Sequence, residues 1–204
     1  ACSMGSGQSF IYATSKVTPG LMQAIGAVTM WWARVDNEIS GMLDMFWRGE
    51  GREEPVPNSF SRRVKLLDAY ARQLYNEKLN EPDELRIFCW YLQRVRTANG
   101  HRDNVAHGIF GEINQGGRRL SGFLIPSPTR PTRYVAMKQS RIAQIGSEIF
   151  HLSEESVLVR IALIQAQNAA CPDRPIYQAA GAWVHLTNES RSPKLPRFIP
   201  PPPN

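Results

Sequence analysis

From Leu21 to Phe46, apolar side chains return every three or four residues: Leu21, Ile25, Val28, Trp32, Val35, Ile39, Met42 and Phe46. A strand repeats its faces with a period of two, whereas a period of 3.6 lines this whole series along one side of an α-helix. A stripe of that length commits the chain to one long helix and to other elements that cover it. Thr18 supplies an N-cap and Pro19 suits the first helical position, so the helix is expected from there to about Arg48. The segment GEGREEPVPN then breaks it.

The same period recurs three more times. Phe60, Val64, Leu67, Ala71 and Leu74 predict a second helix from Asn58 or Ser59, with Arg62, Arg63, Lys65 and Arg72 on its outer face. After a break at 80–83, with Pro82 suited to a helix start, Leu85, Phe88, Leu92 and Val95 set the phase of a third. Continued by threes and fours, that phase lands on Asn99, Arg102, Ala106 and Ile109. A fourth helix is expected over about 140–170, with the stripe Ile142, Ile145, Ile149, Leu152, Val159 and Leu163.

Between the third and fourth helices the period changes. Ile109–Ile113, Leu120–Ile125 and Tyr134–Lys138 read as short strands, with NQGGR and PSPTRPT as their turns, and the first two suit a hairpin. The fold expected is mainly α: an antiparallel helical bundle of about four long helices with a strand insertion at about 109–139. That domain takes in 17–170. Residues 1–16 read as a flexible N-terminus, and 171–204 as an extension with a docking segment at Ile176–Leu186 and a proline-rich tail. Six of the fifteen prolines (Pro193, Pro196 and Pro200 to Pro203) lie in the last twelve residues, a polyproline-type end or a peptide that a partner could grip.

Composition narrows the function classes. Cys2, Cys89 and Cys171 are odd in number and form no CxxC pair, which argues against a disulfide framework or a zinc site and for a reducing, cytoplasmic setting. No apolar run approaches the roughly 20 residues that span a bilayer. The opening ACSMGSGQS has no charged region followed by an apolar one, so it does not read as a signal peptide. The net charge of +6 favours an anionic partner such as nucleic acid.

The segment NGHRDNVAHGIF, residues 99–110, carries the chemistry. Arg102 falls on the apolar phase of its helix, where a guanidinium is costly unless it is paired or lines a wet groove. His107 follows five residues later, about 140° further round an ideal helix, so the two flank a groove. Asp103 and His107 are four apart and share a face, where the carboxylate could fix the imidazole tautomer. A guanidinium offers phosphate a rigid charged fork, and an imidazole moves protons near neutral pH. Taken alone, the spacing is also what a helix cap or a core histidine gives.

The string R-D-N-V-A-H-G resembles the signature of the HEPN superfamily: an Arg, a polar residue, and a His a few positions on, near the end of a long helix. Asp103 stands where Asn is most usual in that family. WWARVDNEI, residues 31–39, is similar to the first helix of small bacterial HEPN-like proteins, and the order of elements over 18–170 also agrees. The resemblance implies a homodimer and a metal-independent endoribonuclease without cofactor, cutting RNA by attack of the 2′-hydroxyl on the adjacent phosphate. It casts His107 as base or acid, Arg102 as the stabiliser of phosphate charge, and Asp103 as the group that orients His107 or positions RNA. Such proteins serve as toxins, defence factors or RNA-processing components, with an antitoxin or other protein as partner. Some family members are instead non-catalytic modules that bind RNA, a nucleotide or a protein.

Around the motif, Arg94 and Arg96 precede it and Arg118 and Arg119 sit at the hairpin turn, each placed to hold RNA phosphates or simply solvated. Trp31, Trp32, Phe46 and Trp47 are more rings than one stripe covers, so a dimer contact competes with core packing for them. His101, His151 and His185 read as surface or cap residues, Cys89 as core rather than nucleophile, and Glu38 as part of a solvated face, with reach into the cleft as the alternative.

Overall fold

The computed structural model describes residues 9–11, 17–115, 117–127 and 130–172. The docking segment, the proline-rich tail, His185 and Cys2 lie outside the described residues. Along the chain run β1 (Ser9–Ile11), α1 (Pro19–Gly49), α2 (Phe60–Arg72), a π-helical turn (Gln73–Lys78), α3 (Pro82–Ala106), β2 (Ile109–Gln115), β3 (Arg118–Ser127), β4 (Arg130–Ala136) and α4 (Gln139–Ala170). The protein is mainly α, with four helices and a strand insertion after the third, as the periodicities require. No helix among the described residues is long and apolar enough to cross a membrane.

The described residues fall into two compact units. One holds the residues up to Ala33 and Thr97–His151; the other holds Arg34–Arg96 and the residues from Leu152. The division cuts α1, α3 and α4, whereas the sequence reading took 17–170 as one domain.

The second unit is a helical bundle built from parts of all four helices. Val35, Ile39 and Met42 of α1, Leu67 of α2, Phe88 and Leu92 of α3 and Val159 and Leu163 of α4 are all buried. Two charged side chains expected on outer faces are also buried. Arg63 pairs with Asp36 and donates to the carbonyls of Pro57 and Asn58 at 3.3 and 2.9 Å. Glu38 is buried with Arg160 Nε 3.2 Å from its carboxylate. A buried charge stays where a partner meets it, and both partners are remote in sequence.

Tyr91 is fully buried and donates to Ser156 Oγ at 2.7 Å; Ser156 in turn donates to the Leu152 carbonyl at 2.7 Å. Tyr91→Phe removes one link and leaves Ser156 its acceptor, so a stability loss of about 0.5–1.5 kcal/mol is expected in chemical denaturation.

Burial and a 2.6 Å hydrogen bond to Glu50 push the Tyr70 hydroxyl from 10.0 up to about 12. Burial also raises Tyr75 and Tyr91. A raised value means that the fold holds the proton more tightly than the unfolded chain does. This stabilisation is therefore complete below the ordinary tyrosine range and is lost as pH climbs through the folded values. In an alkaline absorbance titration, these three are expected to ionise late, together with loss of helical signal.

In the first unit the sheet has the order β1-β2-β3-β4, antiparallel throughout. The expected hairpin is present: Gln115 pairs with Arg118, and Gly117 takes the left-handed conformation (φ 76°) that the tight turn demands. Two expectations change. Residues 9–11, read as part of a loose N-terminus, pair along β2 with Ser9 opposite Asn114, occupying what would otherwise be an open strand edge. The stretch PSPTRPT is not all turn, because β3 extends to Ser127 and β4 begins at Arg130. Pro126 is tolerated because the β2 pairing ends at Ile109–Leu124, and the irregularity in the β3–β4 ladder falls at Pro126 and Ser127.

α1 and α4 meet in this unit through Trp31 and Phe150, edge to face at 4.7 Å, and through Thr18 Oγ1, which donates to Gln139 at 3.2 Å. Thr18 Oγ1 also accepts from the Leu21 amide at 3.2 Å, as the N-cap reading expects. Trp32, Phe46 and Trp47 are buried within the chain, which leaves Trp31, half-buried, as the exposed ring of that aromatic group.

Candidate functional site

The motif residues belong to the first unit and occupy the end of α3. Ala98 and Val105 are buried, and Arg102 lies four residues after one and three before the other, on the core-facing phase. Ala106, expected on that phase, is exposed, because the drift of a 3.6-residue helix brings Val105 inward instead. Arg102 resolves its position by reaching outward. Its side chain is 39% exposed, with the guanidinium 5.9 Å from the centre of the buried Trp32 ring. Arg102 Nη1 donates to Asp103 Oδ1 at 2.6 Å. The other oxygen of Asp103 accepts from Asn99 Nδ2 at 3.0 Å.

Asn99, Asp103, Arg102 and Trp32 therefore form one connected cluster. Among the described residues, Nε and Nη2 of Arg102 have no hydrogen-bond partner, so one edge of a fixed guanidinium faces water. This is the geometry of an anion receptor: the cation is oriented by a carboxylate and a ring, and donors remain for a ligand. Asp103 is one of the residues that holds it.

α3 ends where the His107 amide donates to the Asp103 carbonyl at 2.9 Å and the Gly108 amide to the Val105 carbonyl at 3.2 Å. His107 is exposed, and among the described residues its ring has no hydrogen-bond partner. Asp103 was expected to orient His107 or position RNA; its carboxylate accepts from Asn99 and Arg102. A Cβ at Gly108 would fall into the ring of Phe123 on β3, so a side chain there would force that ring to move where the chain passes from α3 to β2.

The basic residues expected to hold phosphate divide into two kinds. Arg119 pairs with Glu112 across the β2–β3 hairpin, with Nε 2.8 Å from Oε2, while its side chain remains largely exposed. Arg118 is exposed beside it. Arg94 and Arg96 belong to the other unit. Arg94 grips Glu155 with both terminal nitrogens, at 2.5 and 3.0 Å, and that carboxylate is mostly buried, so the guanidinium is committed. Arg96 is exposed.

The sequence reading missed Asn99 and Trp32 as partners of the motif. Asn99 was legible from its i,i+4 relation to Asp103; Trp32 was not, because 70 residues separate it from Arg102. Comparison with protein-family models, curated proteins and solved structures gives no match for this chain.

Proposed function

We propose that this protein is a HEPN-like, metal-independent endoribonuclease that acts as a dimer. The observation that supports this most is the state of Arg102. Its charge is held by Asp103 and Trp32, its second edge has no partner among the described residues, and an exposed imidazole follows five residues later. The open edge would take the non-bridging oxygens of an RNA phosphate. His107 would draw the proton from the 2′-hydroxyl, or deliver one to the departing 5′-oxygen, with His107 of the partner subunit in the other role. The products would be a 2′,3′-cyclic phosphate and a 5′-hydroxyl. Arg118 and Arg119 would steer the phosphate backbone. A toxin, defence or RNA-processing role, with a protein antagonist, fits such an activity.

The test is incubation of the purified chain with structured and single-stranded RNAs in the presence of a chelator, with end-group analysis of the fragments. Cyclic-phosphate ends that vanish in the His107→Ala protein support the proposal; uncut RNA in every condition sinks it.

One observation favours a second reading, a non-catalytic module that binds RNA, a nucleotide or a protein. Among the described residues none hydrogen-bonds to the His107 ring, whereas a proton-transfer imidazole is ordinarily held by a partner. RNA retained by the wild-type chain and lost on Arg102→Ala, without cleavage in either, would establish that reading.

A further inference from the structure

Two cysteines of the second unit sit in opposite surroundings. Cys89, half-buried on α3, has its sulfur 3.6 Å from Asp68 Oδ1 and 3.7 Å from Arg72 Nη2, and burial together with that carboxylate pushes its thiol up from the ordinary range. Cys171, directly after α4, is approached only by donors among the described residues: Lys78 Nζ and the Gln167 amide, each 3.7 Å from Sγ.

These three residues line a cavity of about 210 Å³. One wall is aromatic, with Phe46 and Tyr70 stacked at 5.2 Å and 3° between planes. The π-helical turn brings Gln73, Leu74 and Lys78 to another side; such wide turns recur at functional sites. The cavity's carboxylate, Glu50, has its ion-pair partner in Arg52: Oε2 accepts from both the Tyr70 hydroxyl at 2.6 Å and Arg52 Nε at 2.8 Å. Lys78 makes no ion pair among the described residues. The cavity thus combines a ring wall, an ammonium with no ion pair among the described residues, and a thiol to which that ammonium donates.

We propose that this cavity docks a small carboxylate-bearing disulfide and that Cys171 takes up half of it. The ligand carboxylate pairs with Lys78, and its body lies along the exposed edge of the aromatic wall. Cys171 loses its proton to water, and Sγ attacks the nearer ligand sulfur. The ligand S–S bond breaks as the Cys171–ligand S–S bond forms. The far half leaves as a thiolate and takes a proton from water. Cys171 is oxidised, the ligand disulfide is reduced, no other oxidant enters, and Lys78 keeps its proton throughout.

The experiment compares two aromatic disulfides on the full chain: the dicarboxylate dithiobis(nitrobenzoate) and the neutral dithiodipyridine, with peptide mass mapping of the labelled cysteine. Cys171 is expected to label before Cys89 by at least about tenfold. Lys78→Met is expected to slow the dicarboxylate at Cys171 by about two- to fivefold, the range of an exposed ion pair, and to leave the neutral reagent unchanged. Lys78→Arg should retain the wild-type rate with both. Lys78 is exposed, so these variants leave packing intact. Faster labelling of Cys89, no effect of Lys78→Met, or equal slowing with both reagents would overturn the proposal.

Discussion

With the proposed nuclease activity, His107→Ala is expected to lower RNA cleavage by about 10²–10⁴-fold, the range that one general acid or base contributes. His107 is exposed, so the loss should fall on chemistry and the thermal midpoint should stay put. Arg102→Ala is expected to cost about 10²–10³-fold, as for removal of one preorganised donor to a developing oxyanion. It also strips Asp103 of its cation, so some loss of stability should accompany it. Arg102→Lys should not rescue the rate, because an ammonium cannot offer one edge to Asp103 and another to phosphate. Single-turnover cleavage of one defined RNA by each variant, beside a melting curve, separates the two effects. Unchanged cleavage in both alanine variants would remove the motif from the mechanism.

The second large effect is structural. Gly108→Ala places a methyl group inside the volume of the Phe123 ring, and overpacking of this kind costs about 1–3 kcal/mol. Phe123 has little room to yield, being buried and tilted against Phe110 at 5.1 Å. The Met137 amide also holds the Phe123 carbonyl at 2.9 Å. A double variant with Phe123→Leu should recover part of the loss relative to the sum of the single changes, because the two share one space. Denaturant midpoints of the four proteins measure this directly. Since Gly108 follows His107, the single variant should also disturb cleavage beyond what its lost stability explains.

The helices were readable because their signals are local. The α1 and α4 stripes, the Thr18 cap, the Pro82 start and the Gly117 turn each rest on residues a few positions apart. The features that local signals do not give are of another kind. Arg63 and Glu38 look solvated in sequence and are buried, since Asp36 and Arg160 meet them from other helices. β1 looks like a loose end and is a strand, since the edge it fills belongs to residues about 100 positions away. Asp103 could have faced His107, Arg102 or Asn99 on spacing alone. Its choice depends on where Trp32 sets the guanidinium.

By itself, the sequence determined the helical class, the insertion of strands after the third helix, and the presence of Arg102 and His107 at that helix's end. Periodicity and capping act within a few residues, and no distant contact is needed to express them. Tertiary structure alone decided which charges are buried in pairs, that the guanidinium keeps an open edge, and that Cys171 lies beside an ammonium. Each of these depends on side chains brought together from remote parts of the chain, where partner and burial, rather than residue type, set the chemistry.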